Sequence, residues 1–105
     1  MNRGDIYTIT LKKGVSSVLY GKRFAVILQS NSMLPRSVVI IAPTSQSALH
    51  ASIRPNIEVQ RQPTKVMVEQ MKAVSIDRLG KKVGQVKAEE QWLIDDALFA
   101  LLDLN

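Results

Sequence analysis

Short apolar runs separated by closely spaced glycines, prolines and polar turns, with one helical segment at the C-terminal end, predict a mainly β domain. A small, partly open barrel and a compact sheet with one packed helix both fit that pattern. Three observations carry the prediction. Phe24-Ala25-Val26-Ile27-Leu28 and Val38-Val39-Ile40-Ile41-Ala42 are continuous apolar runs of strand length, as expected of strands buried on both faces. Asp5–Leu11 alternates with period two, one face more apolar than the other. Ala88–Leu104 alone changes to helical period.

The elements follow in order. Asp5–Leu11 reads as the first strand, and Lys12-Lys13-Gly14 breaks it. Residues 12–22 form a loop with two glycines, three lysines and the apolar trio Val18, Leu19 and Tyr20, suited to folding onto the core or to stacking on a base. Gly21 opens the second strand and Ser30-Asn31 closes it. A turn through Pro35 leads to the Val38–Ala42 strand, which should stop at Pro43 and leave Thr44 and Ser45 on a loop. If these two strands pair antiparallel, Arg23 and Thr44 fall at one end of the sheet.

Residues 46–55 read as a polar loop holding the only histidine, His50. Asn56–Gln60 reads as an edge strand blunted by Arg61 and Pro63. Thr64–Val74 favours a further strand, Asp77–Gly80 a turn, and Val83–Val86 a last short strand. In the closing helix Leu93, Ala97, Ala100, Leu101 and Leu104 share one face, flanked by Trp92, Ile94, Leu98 and Phe99. That apolar arc is wide enough to serve a dimer contact besides the core. Glu89 and Glu90 sit in the first turn, where the helix dipole favours anions, and Asp103 sits in the last, where it does not.

The 105 residues are enough for one core, so residues 1–105 are read as a single domain. No cysteine is present, no apolar run approaches a membrane span, and no secretory leader is evident, so the expected location is cytoplasmic and no membrane partner is expected. All 14 Lys and Arg lie at or before Lys87 with four of the nine acids, so residues 1–87 carry +10 and residues 88–105 carry −5. A basic body of this kind suits a polyanion, most commonly a phosphate backbone, or an acidic peptide.

The residue inventory narrows the chemistry. With one histidine and no cysteine, a metal site has few ligands and none is expected; nor is any cofactor. His50 has no evident orienting acid for a nucleophilic triad. The five glycines are scattered, so no phosphate loop appears. What remains at one sheet end is Arg23, Thr44, Ser45 and backbone amides. By itself Arg23 suits a surface ion pair as well as a phosphate clamp. Together the group suits a phosphodiester: arginine pairs with non-bridging oxygens and a hydroxyl donates to developing charge.

The same residues carry a resemblance. Arg3-Gly4-Asp5-Ile6-Tyr7, Arg23 before the strand ending Gln29-Ser30-Asn31, Val39-Ile40-Ile41-Ala42-Pro43-Thr44-Ser45, Val68-Glu69-Gln70-Met71-Lys72-Ala73-Val74-Ser75-Ile76-Asp77-Arg78-Leu79 and Gly84 stand in the order and spacing of the MazF/PemK family of toxins. The likeness runs the length of the chain. It implies an SH3-like small barrel of the MazF/CcdB type with a C-terminal helix. It implies a homodimeric toxin of a type II toxin-antitoxin system that cleaves single-stranded RNA without a metal, leaving a 2′,3′-cyclic phosphate and a 5′-hydroxyl. A cognate antitoxin with an acidic C-terminal tail would cover the RNA groove. By position Arg23, Thr44 and Glu69 match catalytic residues, while Ser30, Ser45 and Gln70 fall at or beside places where relatives contact RNA. The family usually has proline after the arginine; this chain has Phe24, which restores an N–H and relaxes the backbone, or fills core volume.

Two other classes fit the same fold. A CcdB-like inhibitor of DNA gyrase would act through the terminal helix, making Trp92 and Phe99 matter more than Arg23, although both residues are expected in the core. A non-catalytic RNA-binding barrel would bind RNA salt-sensitively and leave it intact. Because a guanidinium stays protonated, proton removal in the enzyme reading falls to Glu69 or to a desolvated Arg23.

Overall fold

The computed structural model describes residues 1–13 and 19–104. Seven strands and one helix follow in the order β1 (Asp5–Leu11), β2 (Gly21–Ile27), β3 (Val38–Ser45), β4 (Asn56–Val59), β5 (Gln62–Val66), β6 (Lys72–Ser75), β7 (Leu79–Gln85) and α1 (Ala88–Leu102). The sheet order is β4-β5-β3-β2-β1-β7, all neighbours antiparallel, with β6 also on β3. The sheet curls into a half-barrel capped by α1, the mainly β small-barrel architecture expected. Residues 14–18 of the basic loop, including Val18, lie outside the described residues.

The first apolar run is a strand because each of its faces meets a different core. Val26 and Leu28 join Ile6, Ala42, Ile57, Val59, Val66 and Val68 beneath the helix. Ala25 and Ile27 turn the other way and join Ile9, Leu11, Val39, Ile41, Met67 and Val74. A strand lining two cores loses polar alternation, which explains the first run. The second, expected to be buried on both faces, is buried on one face at its start, where Val39 and Ile41 point inward and Val38 and Ile40 are exposed. Phe24 packs at the helix-side core, so its substitution for the family's proline fills volume there.

Strand β3 corrects the expected stop. It continues through Pro43 to Ser45, and Thr44 and Ser45 are buried within it. Pro43 is tolerated because β3 changes partners around it. Val38–Ile41 pair with β6, whereas Thr44 and Ser45 pair with β5, on the same edge. The proline's carbonyl faces that edge and accepts from the Met67 N–H at 2.9 Å, so the missing donor falls at the switch, where no ladder bond needs it. Residues 64–74 are accordingly not one strand: β5 and β6 lie end to end along β3, joined by a 3-10 turn at Val68–Gln70. The Asp77–Gly80 segment is no break either. A 3-10 turn over Ile76–Arg78 feeds directly into β7, which starts at Leu79.

The helix is rotated from the expected face. Ile94 and Ala97 are buried and Leu98 is half-buried, while Leu93, Ala100, Leu101 and Leu104 are exposed. Polar ties set that rotation. Glu90 accepts from the backbone N–H of Lys87 and of Glu58, both at 2.8 Å, fastening the helix start to β4. Asp95 pairs with Arg3 at 2.9 Å, and Arg3 Nε also donates to the Leu28 carbonyl. Asp103 escapes the unfavourable last turn by serving as a left-handed C-cap. Trp92 and Phe99, expected inside, are 67% and 48% exposed.

Candidate active site

Antiparallel pairing of β2 with β3 sets Ala25 opposite Pro43, so Arg23 and Thr44 fall at the same sheet end, as the hairpin geometry requires. Both line an open cleft of about 790 Å³. Its floor is built by four strands: Thr8, Ile9 and Thr10 of β1, Lys22, Arg23 and Phe24 of β2, Thr44 of β3 and Thr64 of β5. Gln46 and Ser47 rise from the loop after β3 on one side, and Asp77, Arg78 and Gly80 from the approach to β7 on the other.

Arg23 is half-buried, and its Nε donates to the Tyr20 carbonyl at 3.1 Å. That bond fixes the guanidinium plane. Among the described residues its two terminal nitrogens have no partner, which leaves a guanidinium fork of the shape that pairs with a carboxylate or phosphate. The bond also gives the basic loop a local purpose. Leu19 is buried in the second core, whereas Tyr20 is exposed with Lys13 Nζ 5.5 Å from its ring centroid. The loop thus divides between packing and surface. Thr44 is 3% exposed and held in the β3–β5 ladder opposite Val66.

The opposite wall is equally constructed. Arg78 donates to the Thr10 carbonyl at 3.1 Å, and Lys81 N–H to the Thr8 hydroxyl at 3.0 Å. Gly80 is required there, since a Cβ would collide with Thr8 Oγ1. Lys22, Arg23 and Arg78 make the lining cationic, with Asp77 its single carboxylate among the described residues. Sequence pattern alone did not mark Lys22, Thr8, Thr10, Gln46, Ser47, Asp77 or Arg78, because the pairing of β1 with both β2 and β7 and of β2 with β3 assembles them from remote segments.

The other expected residues stand elsewhere. Glu69 does not line the cleft; it lies on the 3-10 turn between β5 and β6 and binds Arg54 Nε through Oε2 at 2.8 Å. Arg54 Nη1 donates to the Leu49 carbonyl at 2.9 Å, so this pair ties down the loop that begins with Gln46 and Ser47. Gln70 is half-buried on the same turn, outside the cleft lining. Ser45 is buried in β3 rather than presented on a loop. Ser30 caps the short 3-10 helix Asn31–Met33, its Oγ accepting from Ser32 N–H at 3.3 Å. His50 is exposed in the β3–β4 loop.

A curled sheet with one terminal helix and a cationic cleft lined by both Arg23 and the buried Thr44 defines a small half-barrel with a basic cleft. Comparison with known proteins gives the family. The chain matches the model of the PemK-like, MazF-like toxin of type II toxin-antitoxin systems over residues 2–102 and belongs to that family. It is 38% identical over 106 residues to "Putative toxin Rv3098A/RVBD_3098A" of Mycobacterium tuberculosis, the match covering 97% of each chain. Among solved structures it is similar to Mycobacterium tuberculosis toxin MazF-mt6, with TM-score 0.80, 19% identity and coverage of 96% of this chain and 98% of that one. It is also similar to an endoribonuclease in complex with its cognate antitoxin from a mycobacterial species, with TM-score 0.82, 18% identity and coverage of 100% and 97%. The protein is therefore a MazF-like toxin of a toxin-antitoxin system.

Proposed function

We propose that this toxin is a metal-independent, sequence-specific endoribonuclease of the cytoplasm that cuts single-stranded RNA, mRNA above all, and thereby arrests translation and growth. The observation that carries the reading is the shared cleft of Arg23 and Thr44, with the arginine's terminal nitrogens unpartnered among the described residues. The Arg23 fork pairs with the non-bridging oxygens of the scissile phosphate. The ribose 2′-hydroxyl attacks phosphorus as the P–O5′ bond breaks; its proton passes to water, and water protonates the leaving 5′-oxygen. The products are a 2′,3′-cyclic phosphate and a 5′-hydroxyl. Charge that builds on the phosphoryl oxygens is met by Arg23 and by the Thr44 hydroxyl, both fixed before substrate arrives.

Glu69 supports this chemistry at a distance, by holding Arg54 and the loop that carries Gln46 and Ser47. Lys22 and Arg78 extend the phosphate track across the sheet. Ser30 and Gln70 meet RNA only where it runs beyond the cleft, and Ser45 acts by packing. The exposed apolar helix surface supports a homodimer. The +10 body supports capture of an antitoxin whose acidic tail competes with RNA for the same groove.

One observation favours a second reading. Trp92 and Phe99 stand exposed on α1 and are available to a protein target, as a CcdB-like gyrase inhibitor requires. The two readings separate in one experiment. The endoribonuclease cuts single-stranded RNA in excess EDTA and spares gyrase supercoiling; the inhibitor leaves RNA whole and blocks gyrase.

A further inference from the structure

Resting on the reading of this cleft as an RNA site, we propose that Asp77 forms a base-reading subsite that selects guanine beside the scissile phosphate. Among the described residues Asp77 is the single carboxylate lining the cleft, whose other charged lining residues are Lys22, Arg23 and Arg78. Among the described residues its carboxylate makes no ion pair with any of those cations. Arg78, its chain neighbour, turns its guanidinium to the Thr10 carbonyl instead. The backbone at Asp77 is fixed, since its N–H donates to Ser75 Oγ at 3.3 Å as the first step of the 3-10 turn into β7. An unpaired carboxylate on a fixed stretch of backbone repels phosphate, so it belongs opposite a group that donates hydrogen bonds.

The strand register says which part of a nucleotide that is. Ile9 of β1 is opposite Arg23 on one side and opposite Leu79 on the other. Arg23 and Leu79 are therefore two strand spacings apart, about 10 Å along the sheet. Asp77 precedes Leu79 by two residues. It is placed for the base of an adjoining nucleotide. Unpaired bases in single-stranded RNA offer their Watson–Crick edges. Guanine alone presents two parallel donors there, N1–H and N2–H, matching the two carboxylate oxygens. Adenine, cytosine and uracil each present one, flanked by acceptors that a carboxylate repels.

The test is fluorescence-anisotropy binding to 2′-fluoro hexanucleotides, which cannot cyclise. A uridine frame carries one guanosine, inosine, adenosine or cytidine at its third position. Inosine lacks only the N2 amino group, so the guanosine–inosine comparison needs no protein variant. A bidentate base contact discriminates by about 1–3 kcal/mol, roughly 5- to 150-fold. The wild-type protein binds the guanosine oligomer about tenfold more tightly than the inosine oligomer and the others. Asp77→Asn loses that preference while keeping its salt-sensitive binding and its unfolding midpoint. Equal binding of guanosine and inosine by the wild type, or a preference retained in Asp77→Asn, overturns the inference. Guanosine preference with no cutting of natural RNA upholds the subsite and removes the nuclease reading. Cutting of natural RNA with no guanosine preference does the reverse. Failure to bind any oligomer removes both.

Discussion

Glu69 and Arg23 are both charged residues that the family resemblance singles out, and the fold treats them differently. Among the described residues the Arg23 fork has no partner in the cleft, whereas Glu69 gives one oxygen to Arg54 at 2.8 Å and lies off the cleft lining. Glu69→Gln should therefore cost about 1–2 kcal/mol of stability, between an exposed and a buried ion pair. It should leave cleavage within about tenfold of wild type. Urea unfolding and initial cleavage rates check both numbers; a Glu69→Gln loss as large as that of Arg23→Ala would make Glu69 the proton acceptor. The Arg3-Gly4-Asp5 motif is structural on the same evidence. Arg3 locks the helix to the end of β2, Gly4 takes a φ of +91°, and buried Asp5 accepts from Asn2 N–H at 2.8 Å. A motif at that scale shows that residues are fixed, and only the folded contacts show whether chemistry or architecture fixes them.

At the scale of elements, the β4–β5 hairpin carries a test. Gln60 and Arg61 form its two-residue turn with φ of +52° and +66°, although neither residue favours that region. Replacing the pair by Asn-Gly should stabilise the protein by about 0.5–1 kcal/mol without affecting cleavage, read from the urea midpoint. The same turn shows why strand ends were hard to read: it lacks the Asn-Gly signal, so β4 looked like an isolated edge strand with Pro63 beside it. Strands β1, β2 and the start of β3 were legible because their apolar runs reflect burial that is local to each strand. The continuation of β3 through Pro43 was not, because it depends on β5 and β6 sharing one edge. Helix α1 was legible as a helix and misread in rotation. Ion pairs to Arg3 and backbone bonds at Glu58 choose its buried face, and many apolar residues point away from the core. For the site, the hairpin geometry was enough to bring Arg23 and Thr44 together, but the β7 wall with Asp77 and Arg78 needed the closed topology.

For the whole molecule, two surfaces remain to be accounted for. The cleft side is cationic, and phosphate binding there should release counterions. Affinity for a 2′-fluoro oligomer should fall at least tenfold between 50 and 200 mM salt, measured by anisotropy; a flat response would argue against phosphate contacts. The outer side is apolar: Trp92, Leu93, Phe99, Leu102 and Leu104 of the C-terminal segment and Val38 and Ile40 of β3 are all exposed. Such area on a small chain suits a homodimer, so sedimentation should give twice 11.7 kDa at micromolar concentration. Trp92→Ser with Phe99→Ser should shift that mass toward the monomer. The central claim remains that Arg23 performs RNA cleavage in this cleft, and it is tested most directly by incubating wild type and Arg23→Ala with single-stranded RNA in excess EDTA. Wild type should cut at defined sites, leaving 5′-hydroxyl ends, and Arg23→Ala should be at least 100-fold slower while folded. Intact RNA with the wild type in chelator, or undiminished cutting by Arg23→Ala, would contradict the account.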